Sequence, residues 1–398
     1  MSRSGYGEMG RFALRSMISN PGIDLYLHNI DWGKTGWIWE DDDERRLIDS
    51  LLQKTVMYRQ NGGTFDASVQ CTIPNEWQKI TDHDVGYTAG IEVDRVSPVW
   101  LEKGNEMSKI IVISNHSKNV YTNTSYDAQN RKTGEEIKGY KCTTPIEVVG
   151  FPKKDIEPTE IDIKPRHDFN FFCVAHLGPR KNIDAVIDNF IEEFKNEEVG
   201  IIFKVNGMND SILDFHNLKG MFRQIKTDIK EQGLKCSINL LHGNLTDEQM
   251  HGLYKHPKVK AMVSLTHGEG FGLPLYEAAY SGMPVIATNW SGHLDFLKVP
   301  KKGKGKPSIM FAPVKYDLTE VPQEAVWDGV INAGTRWATV DSASARKQLR
   351  NVYKNYSRWE KKASKLMTSF KGSAHYYKLF IDALGIEFKP VDEGAFSL

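Results

Sequence analysis

The segment Thr266 to Asp295, THGEGFGLPLYEAAYSGMPVIATNWSGHLD, constrains the fold of this chain more than any other stretch. An apolar, strand-like run from Val259 to Leu265 precedes it. A Gly-Phe-Gly-Leu-Pro turn follows, then a helix of small residues, then a second strand from Met283 to Thr288. A strand that ends in a glycine turn and opens a helix directs free backbone N–H groups at whatever lies above it, which suits an anion such as a diphosphate. Gly270 and Gly272 have no side chain to block close approach, and Pro274 suits the first helical turn. Two acids, Glu269 and Glu277, flank the turn. Each would repel a phosphate, so both read as acceptors for the hydroxyls of a sugar.

The surrounding pattern is α/β. Strand-like runs occur at Phe169–Ala175, Gly200–Val205, Ser237–Leu241, Val259–Leu265, Met283–Thr288 and Ile309–Pro313. Between the first two, Ile183, Val186, Ile187, Phe190, Ile191 and Phe194 recur at helical offsets and form one apolar stripe. Thr246 with Gln249 is a capping-box signature for a further helix. Such alternation implies a doubly wound parallel sheet. The first half is less regular, with strand candidates at Ile23–Leu27, Thr64–Cys71, Asp84–Ala89, Ile110–Ser114 and Pro145–Phe151 and a helix at Arg45–Lys54. These runs divide the chain into a first Rossmann-like domain (1–151), a linker (152–166), a second Rossmann-like domain (167–341) and a helical tail (342–398). The glycine loop at Ser4–Arg11 leaves no room for a preceding strand: either the true start lies upstream of this sequence or the first domain lacks that strand.

Bulk properties exclude several classes. Lys plus Arg and Asp plus Glu both number 51, so the formal net charge is zero. Neither half is basic enough to wrap nucleic acid. Lys298, Lys301, Lys302, Lys304 and Lys306 crowd one short stretch and read as a basic loop able to touch acceptor phosphates. No apolar run approaches a membrane span, and the first residues form no signal-peptide core. The four scattered cysteines fit neither a zinc site nor a disulfide framework. A cytoplasmic setting is expected, that of a host if the protein is viral. Glu40-Asp41-Asp42-Asp43-Glu44 contains an Asp-x-Asp spacing, but acids ahead of a helix are ordinary dipole partners, so no metal site is assigned.

Glu269-Gly-Phe-Gly-Leu-Pro-Leu-Tyr-Glu277 matches the E-x7-E motif of retaining GT-B glycosyltransferases of the family-4 type. The longer wording through PVIATNWSGHLDFL resembles those encoded by tailed bacteriophages. The resemblance covers about residues 168–300 well and the rest weakly. It implies two Rossmann-like domains with a cleft between them, a nucleotide-sugar donor, UDP-linked in expectation, and transfer to a hydroxyl with retention and without a metal or other cofactor. It implies that Glu269 holds the donor sugar and Glu277 the ribose, while Gly270, Phe271, Gly272 and Leu273 offer amides to the sugar and diphosphate. Lys181 matches the family's diphosphate-binding Lys. His176 stands where the family has Arg, and Arg180 is expected to supply the missing charge.

Gly243 and Leu245 would read the nucleobase through the backbone, with Asn206 and Gly207 forming the neighbouring wall. Gly5 and Gly7 would close on the phosphates from the first domain. Glu92, with Asp94, is the acceptor-side candidate, where the family often has His. The phage-like wording points to a hydroxymethylated pyrimidine in DNA as acceptor, with Lys301, Lys302 and Lys304 against its phosphates. A glycan, lipid or protein hydroxyl is the competing acceptor. A sugar-nucleotide epimerase and a non-catalytic sugar-nucleotide binder are the other readings. Oligomeric state is left open.

Overall fold

Two separate all-parallel sheets organise the chain in its computed structural model, which describes every residue except 31–35, 39, 130–132, 208–210, 302–304 and 390–398. The first sheet uses β1 (Ala67–Cys71), β2 (His83–Thr88), β3 (Lys109–Val112) and, after an antiparallel hairpin of β4 (Ser125–Gln129) and β5 (Glu136–Lys141), β6 (Ile146–Val148). Its order is β1-β2-β3-β6. The second sheet contains β7 (Asn170–His176), β8 (Gly200–Asn206), β9 (Ser237–Leu241), β10 (Val259–Ser264) and β11 (Val285–Thr288). A small hairpin of β12 (Lys298–Val299) and β13 (Ser308–Ile309) then precedes the edge strand β14 (Ala312–Val314). The order β14-β11-β10-β7-β8-β9 reverses direction between β7 and β10. In open α/β sheets ligands bind beyond the carboxyl ends of the strands at such a switch point.

The helices are α1 (Gly5–Ile18), α2 (Asp43–Gln60), α3 (Pro98–Glu106), α4 (Asn115–Asn123), α5 (Ile183–Phe194), α6 (Ile212–Glu231), α7 (Asp247–Lys255), α8 (Leu273–Tyr280), the short α9 (Leu294–Leu297), α10 (Ser342–Lys354), α11 (Tyr356–Met367) and α12 (Ser373–Leu384). The stripe on α5 lies as its period requires: Ile183, Val186, Ile187, Phe190 and Phe194 are buried against the second sheet, and Ile191 packs beside them. Thr246 and Gln249 form the capping box of α7. No described helix is long and apolar enough to cross a membrane. Among the acids at 40–44, Asp42 caps α2 by accepting from the Arg45 amide at 2.8 Å, and Asp41 and Asp43 pair with Arg46.

Several expectations are corrected. Ile23–Leu27 forms no strand, because its backbone meets α2 side chains: the Leu27 amide donates to Thr55 and the Leu25 carbonyl accepts from Lys54. Ile309–Pro313 is split, with Ile309 in the β12–β13 hairpin and Ala312–Val314 pairing in parallel with β11. Ser4 to Gly7 forms the start of a helix. Ser4 caps α1 by accepting from the Gly7 amide at 3.0 Å, and Gly5 and Gly7 lie in the first helical turn. Of the lysine loop, Lys301 is exposed, while Lys302 and Lys304 lie outside the described residues.

The tail is three helices, and α12 returns to the first sheet. The Phe380 ring lies 5.5 Å from Phe12 on α1 and 5.2 Å from Tyr87 on β2. Phe380 is fully buried. Phe380→Ala should therefore destabilise the protein by about 3–5 kcal/mol. Chemical denaturation should show the lower midpoint, and limited proteolysis should find α12 released first.

Candidate active site at the switch point

The turn between β10 and α8 sets the geometry of the cleft. Gly272 adopts φ 91°, a left-handed conformation that glycine tolerates without strain, and from there α8 begins without a side-chain cap. The Leu273 and Leu275 amides therefore lack intrahelical acceptors, as in any first turn. Gly268 and Gly270 are glycine for another reason. A Cβ on Gly268 would lie 2.3 Å from the Glu92 carbonyl oxygen, and one on Gly270 would lie 2.1 Å from that of Ala89. The room expected at Gly270 for a ligand is thus filled by first-half backbone.

Glu269 follows the end of β10, and Arg180 and Lys181 follow the end of β7, so the strands at the switch point bring them together. Lys181 Nζ lies 2.5 Å from Glu269 Oε1. Arg180 Nη1 lies 3.1 Å from Glu269 Oε2 and donates to the Gly268 carbonyl at 2.7 Å. The other nitrogen, Nη2, lies 3.5 Å from Glu92 Oε1. Two carboxylates and two cations thus form one chain across the cleft. Burial alone would raise the Glu269 carboxyl, but Lys181 and Arg180 outweigh it and hold it at about 2. Burial and the neighbouring Arg180 pull Lys181 below its ordinary value, against the opposing pull of Glu269. Burial works against the charge on Arg180, yet Glu92 and Glu269 keep its pKa above the ordinary value.

The backbone of Glu269 is pinned separately. Its amide donates to Ser291 Oγ at 2.9 Å. Ser291 Oγ lies 3.5 Å from His293 Nδ1, and His293 Nε2 donates to the Thr288 carbonyl at 2.7 Å. His293 is fully buried, which lowers its pKa and keeps it neutral. Ser291 holds φ 82°, a conformation a non-glycine residue adopts only when its surroundings enforce it. Nothing in the sequence reading marked Ser291 or His293, although both lie inside the segment that carries the motif.

Glu277 lies in the second turn of α8. Its Oε2 accepts from the Tyr254 hydroxyl at 2.9 Å. It lines a cleft with Glu8 and Arg15 of α1, Lys154 and Leu273. Lys154 bridges Glu8 and Asp247, each at 2.9 Å. Burial pushes the Glu277 carboxyl up to about 7, with Lys154 and Tyr254 pulling the other way. Glu8, Lys154 and Tyr254 were not singled out from the sequence, because they come from three distant segments.

The remaining sequence candidates divide by what they touch. His176 is exposed at the end of β7, and Asn206, at the end of β8, accepts from Lys204 at 2.9 Å. Gly207 abuts Asp214, and Gly243 takes φ 104° just past β9. The Leu245 carbonyl accepts from Arg3 at 3.5 Å. The Phe271 side chain is core, 5.0 Å from the Phe151 ring and 5.1 Å from Phe296, which leaves only its amide for a ligand. Asp94 is tied to the second half: its carboxylate accepts from the Arg336 amide at 2.7 Å and from Arg336 Nε at 2.8 Å. Arg180 is directed at Gly268, Glu269 and Glu92. Lys301 is 300-loop surface and joins none of these contacts among the described residues.

The two acids should respond to pH with opposite signs. The folded pKa of Glu277 exceeds its ordinary 4.5, so its stabilising contribution is full below 4.5 and is lost as pH rises through about 7. Glu277→Gln should gain roughly 1–3 kcal/mol on the wild type between about pH 5 and 8. Paired melts check this, and a constant difference across that range would contradict it. Glu269 is depressed to about 2, so its contribution is present above 4.5 and lost as pH falls towards 2.

Residues 158–304 match the family model of glycosyl transferases group 1, a span that contains Arg180, Lys181, Glu269, Glu277, Ser291 and His293. No curated protein matches the chain by sequence. Among solved structures, one from E. coli, described as trehalose-6-phosphate bound with UDP-2-fluoro glucose, is similar at 11% identity and TM-score 0.52 over 87% of this chain and 79% of that one. The Anabaena protein HepE, in complex with UDP and glucose, is similar at 14% identity and TM-score 0.51 over 87% and 84%. The pneumococcal O-GlcNAc transferase GtfA, in complex with UDP and GlcNAc, has 13% identity and TM-score 0.49, and this chain covers 60% of its length. At these identities the likeness speaks for the fold, which is GT-B: two Rossmann-like parallel sheets facing across a cleft. The part of the chain that is similar to glycosyl transferases group 1, residues 158–304, is carried on that fold.

Proposed function

We propose that this protein is a glycosyltransferase of the retaining, family-4 type, moving a sugar from a UDP-sugar to a hydroxyl acceptor. The observation that carries the reading is the Lys181–Glu269 pair at the switch point, set beside the open first turn of α8. Diphosphate oxygens would draw Lys181 from Glu269 and take the Leu273 and Leu275 amides. Glu269, relieved of that cation, would accept sugar hydroxyls, and Glu277 the ribose hydroxyls. As the bond to the anomeric carbon breaks, charge grows on the leaving diphosphate, and Lys181 with the first-turn amides would stabilise it. In front-face attack the leaving phosphate oxygen takes the acceptor proton, so no protein base is required. The closeness of loop 89–92 to the turn would keep water from the donor.

A hydroxymethylated pyrimidine in DNA is the acceptor we propose to test first. The lysine-bearing β12–β13 hairpin supports it, through Lys298, Lys301 and Lys306. A target base inside a duplex would have to be flipped out to reach the cleft.

Calorimetry separates the two acids. Glu277→Ala should weaken UDP itself by about 10- to 100-fold, the loss of its hydrogen bonds to the ribose hydroxyls. Glu269→Ala should leave UDP affinity nearly intact and weaken UDP-sugar binding or turnover. Equal loss of UDP affinity in both variants would refute the separate roles. Lys181→Ala should slow donor hydrolysis about 10²- to 10³-fold, and hydrolysis at the wild-type rate would misplace the diphosphate.

For DNA, Lys298→Ser with Lys301→Ser should weaken binding at low salt and flatten its salt dependence, with donor hydrolysis unchanged. If hydroxymethylated DNA neither binds nor gains sugar mass with a panel of UDP-sugars, the acceptor is a glycan, lipid or protein hydroxyl.

A further inference from the structure

Three successive residues of the first half are each gripped by the second. Glu92 faces Arg180. Val93, only 2% exposed, lies in a small apolar cluster with Val321 and Trp337. Asp94 donates its amide to the Arg336 carbonyl at 2.9 Å and accepts from the Arg336 amide and guanidinium. Arg336 and Trp337 belong to an antiparallel hairpin of β15 (Tyr316–Glu320) and β16 (Arg336–Val340), joined by residues 321–335.

The same hairpin holds the other wall of the cleft. The Ala338 amide donates to the His267 carbonyl at 2.9 Å, and His267 Nδ1 donates back to the Ala338 carbonyl at 2.7 Å. The His267 ring stacks on Trp337 at 4.2 Å and 6°. His267 lies two residues before Glu269. The connection 321–335 reaches further into the first half. Val330 is buried among Ile73, Trp77 and Trp100, and Asn332 Nδ2 donates to Ser97 Oγ at 3.2 Å. One hairpin thus spans the cleft, fixed to loop 89–96 on one side and to the turn before Glu269 on the other.

We propose that the β15–β16 hairpin is a positioning strap for the sugar-transfer step, with Asp94 and Arg336 as its positioning residues. By setting residues 92–94 against the 266–270 turn, it presents the Glu92 carboxylate to Arg180. Arg180, held between Glu92 and Glu269, then fixes the carboxylate that receives the sugar. The role goes beyond stability, because the Arg336 side chain is 54% exposed and exposed pairs contribute little to it. A shift of about 1 Å at a catalytic group, by contrast, can cost up to about 100-fold in rate. This inference rests on the sugar-transfer reading.

The test uses the full chain with Arg336→Ala and, as a milder variant, Asp94→Asn, which keeps an acceptor for the Arg336 amide. Three quantities are measured: deuterium exchange across residues 89–96, UDP affinity, and kcat and KM for UDP-sugar hydrolysis. For Arg336→Ala, exchange at 89–96 should rise about tenfold. Its kcat should fall about tenfold, with UDP affinity within about twofold of wild type and melting temperature little changed. Asp94→Asn should show the same pattern more weakly, and Arg336→Lys should recover part of kcat. Unchanged exchange at 89–96 overturns the strap, and raised exchange with unchanged kcat overturns its positioning role. If the wild type fails to bind UDP, the transfer reading falls and the positioning role falls with it. The exchange measurement then still decides whether the hairpin grips the loop.

Discussion

The chain of charges Lys181–Glu269–Arg180–Glu92 is the interaction on which the cleft depends. It joins the ends of the two strands at the switch point and then crosses to the first half. Buried charges are costly to desolvate, and removing one partner from such a pair typically costs about 3–5 kcal/mol because the other is left uncompensated. Four groups that neutralise one another avoid that cost only while they stay in register. The register is kept by the Ser291–His293 bonds beneath Glu269 and by the backbone approach of Ala89 and Glu92 to Gly270 and Gly268.

That arrangement also sets the electrostatics of the site. Lys181 and Arg180, the obvious anion-binding groups, are both directed at Glu269. The diphosphate proposed to bind here would replace one anion by another, so the cations would not be left without a counter-charge. Glu277 behaves differently because its environment is different. It has a hydroxyl donor, Tyr254, and acidic neighbours in Glu8 and Asp247, so burial dominates and its proton is retained to about pH 7. Two glutamates eight residues apart in sequence thus differ by about five units in acidity, with folded values of about 2 and about 7.

Much of the second half is legible in the sequence because its signals are local. The stripe on α5, the capping box of α7 and the Gly-Phe-Gly-Leu-Pro turn each depend on residues within a few positions of one another, and each lies where its period or turn chemistry requires. The first half is harder to read for the same physical reason. Ile23–Leu27 has strand composition but no strand beside it, since α2 side chains occupy its backbone donor and acceptor. Gly5 and Gly7 read as a loop, and Ser4 makes the same residues a helix start by satisfying the Gly7 amide.

The sequence by itself determined the alternation of strands and helices, the turn after Val259–Leu265, the presence of Glu269, Arg180 and Lys181 just beyond the carboxyl ends of strands, and that of Glu277 on the helix after the turn. It could do so because hydrophobic period and glycine placement act over short range. Only the tertiary structure decided which charges meet. Arg180 turns to Glu92 and Glu269, Asp94 is bound by Arg336 from 242 residues away, and Glu277 shares its cleft with Glu8 and Lys154. Those pairings depend on how the two sheets face each other and on a hairpin that spans them. Neither leaves a periodic trace along the chain, because ion pairs and backbone contacts between distant segments are fixed by packing geometry rather than by the spacing of residues.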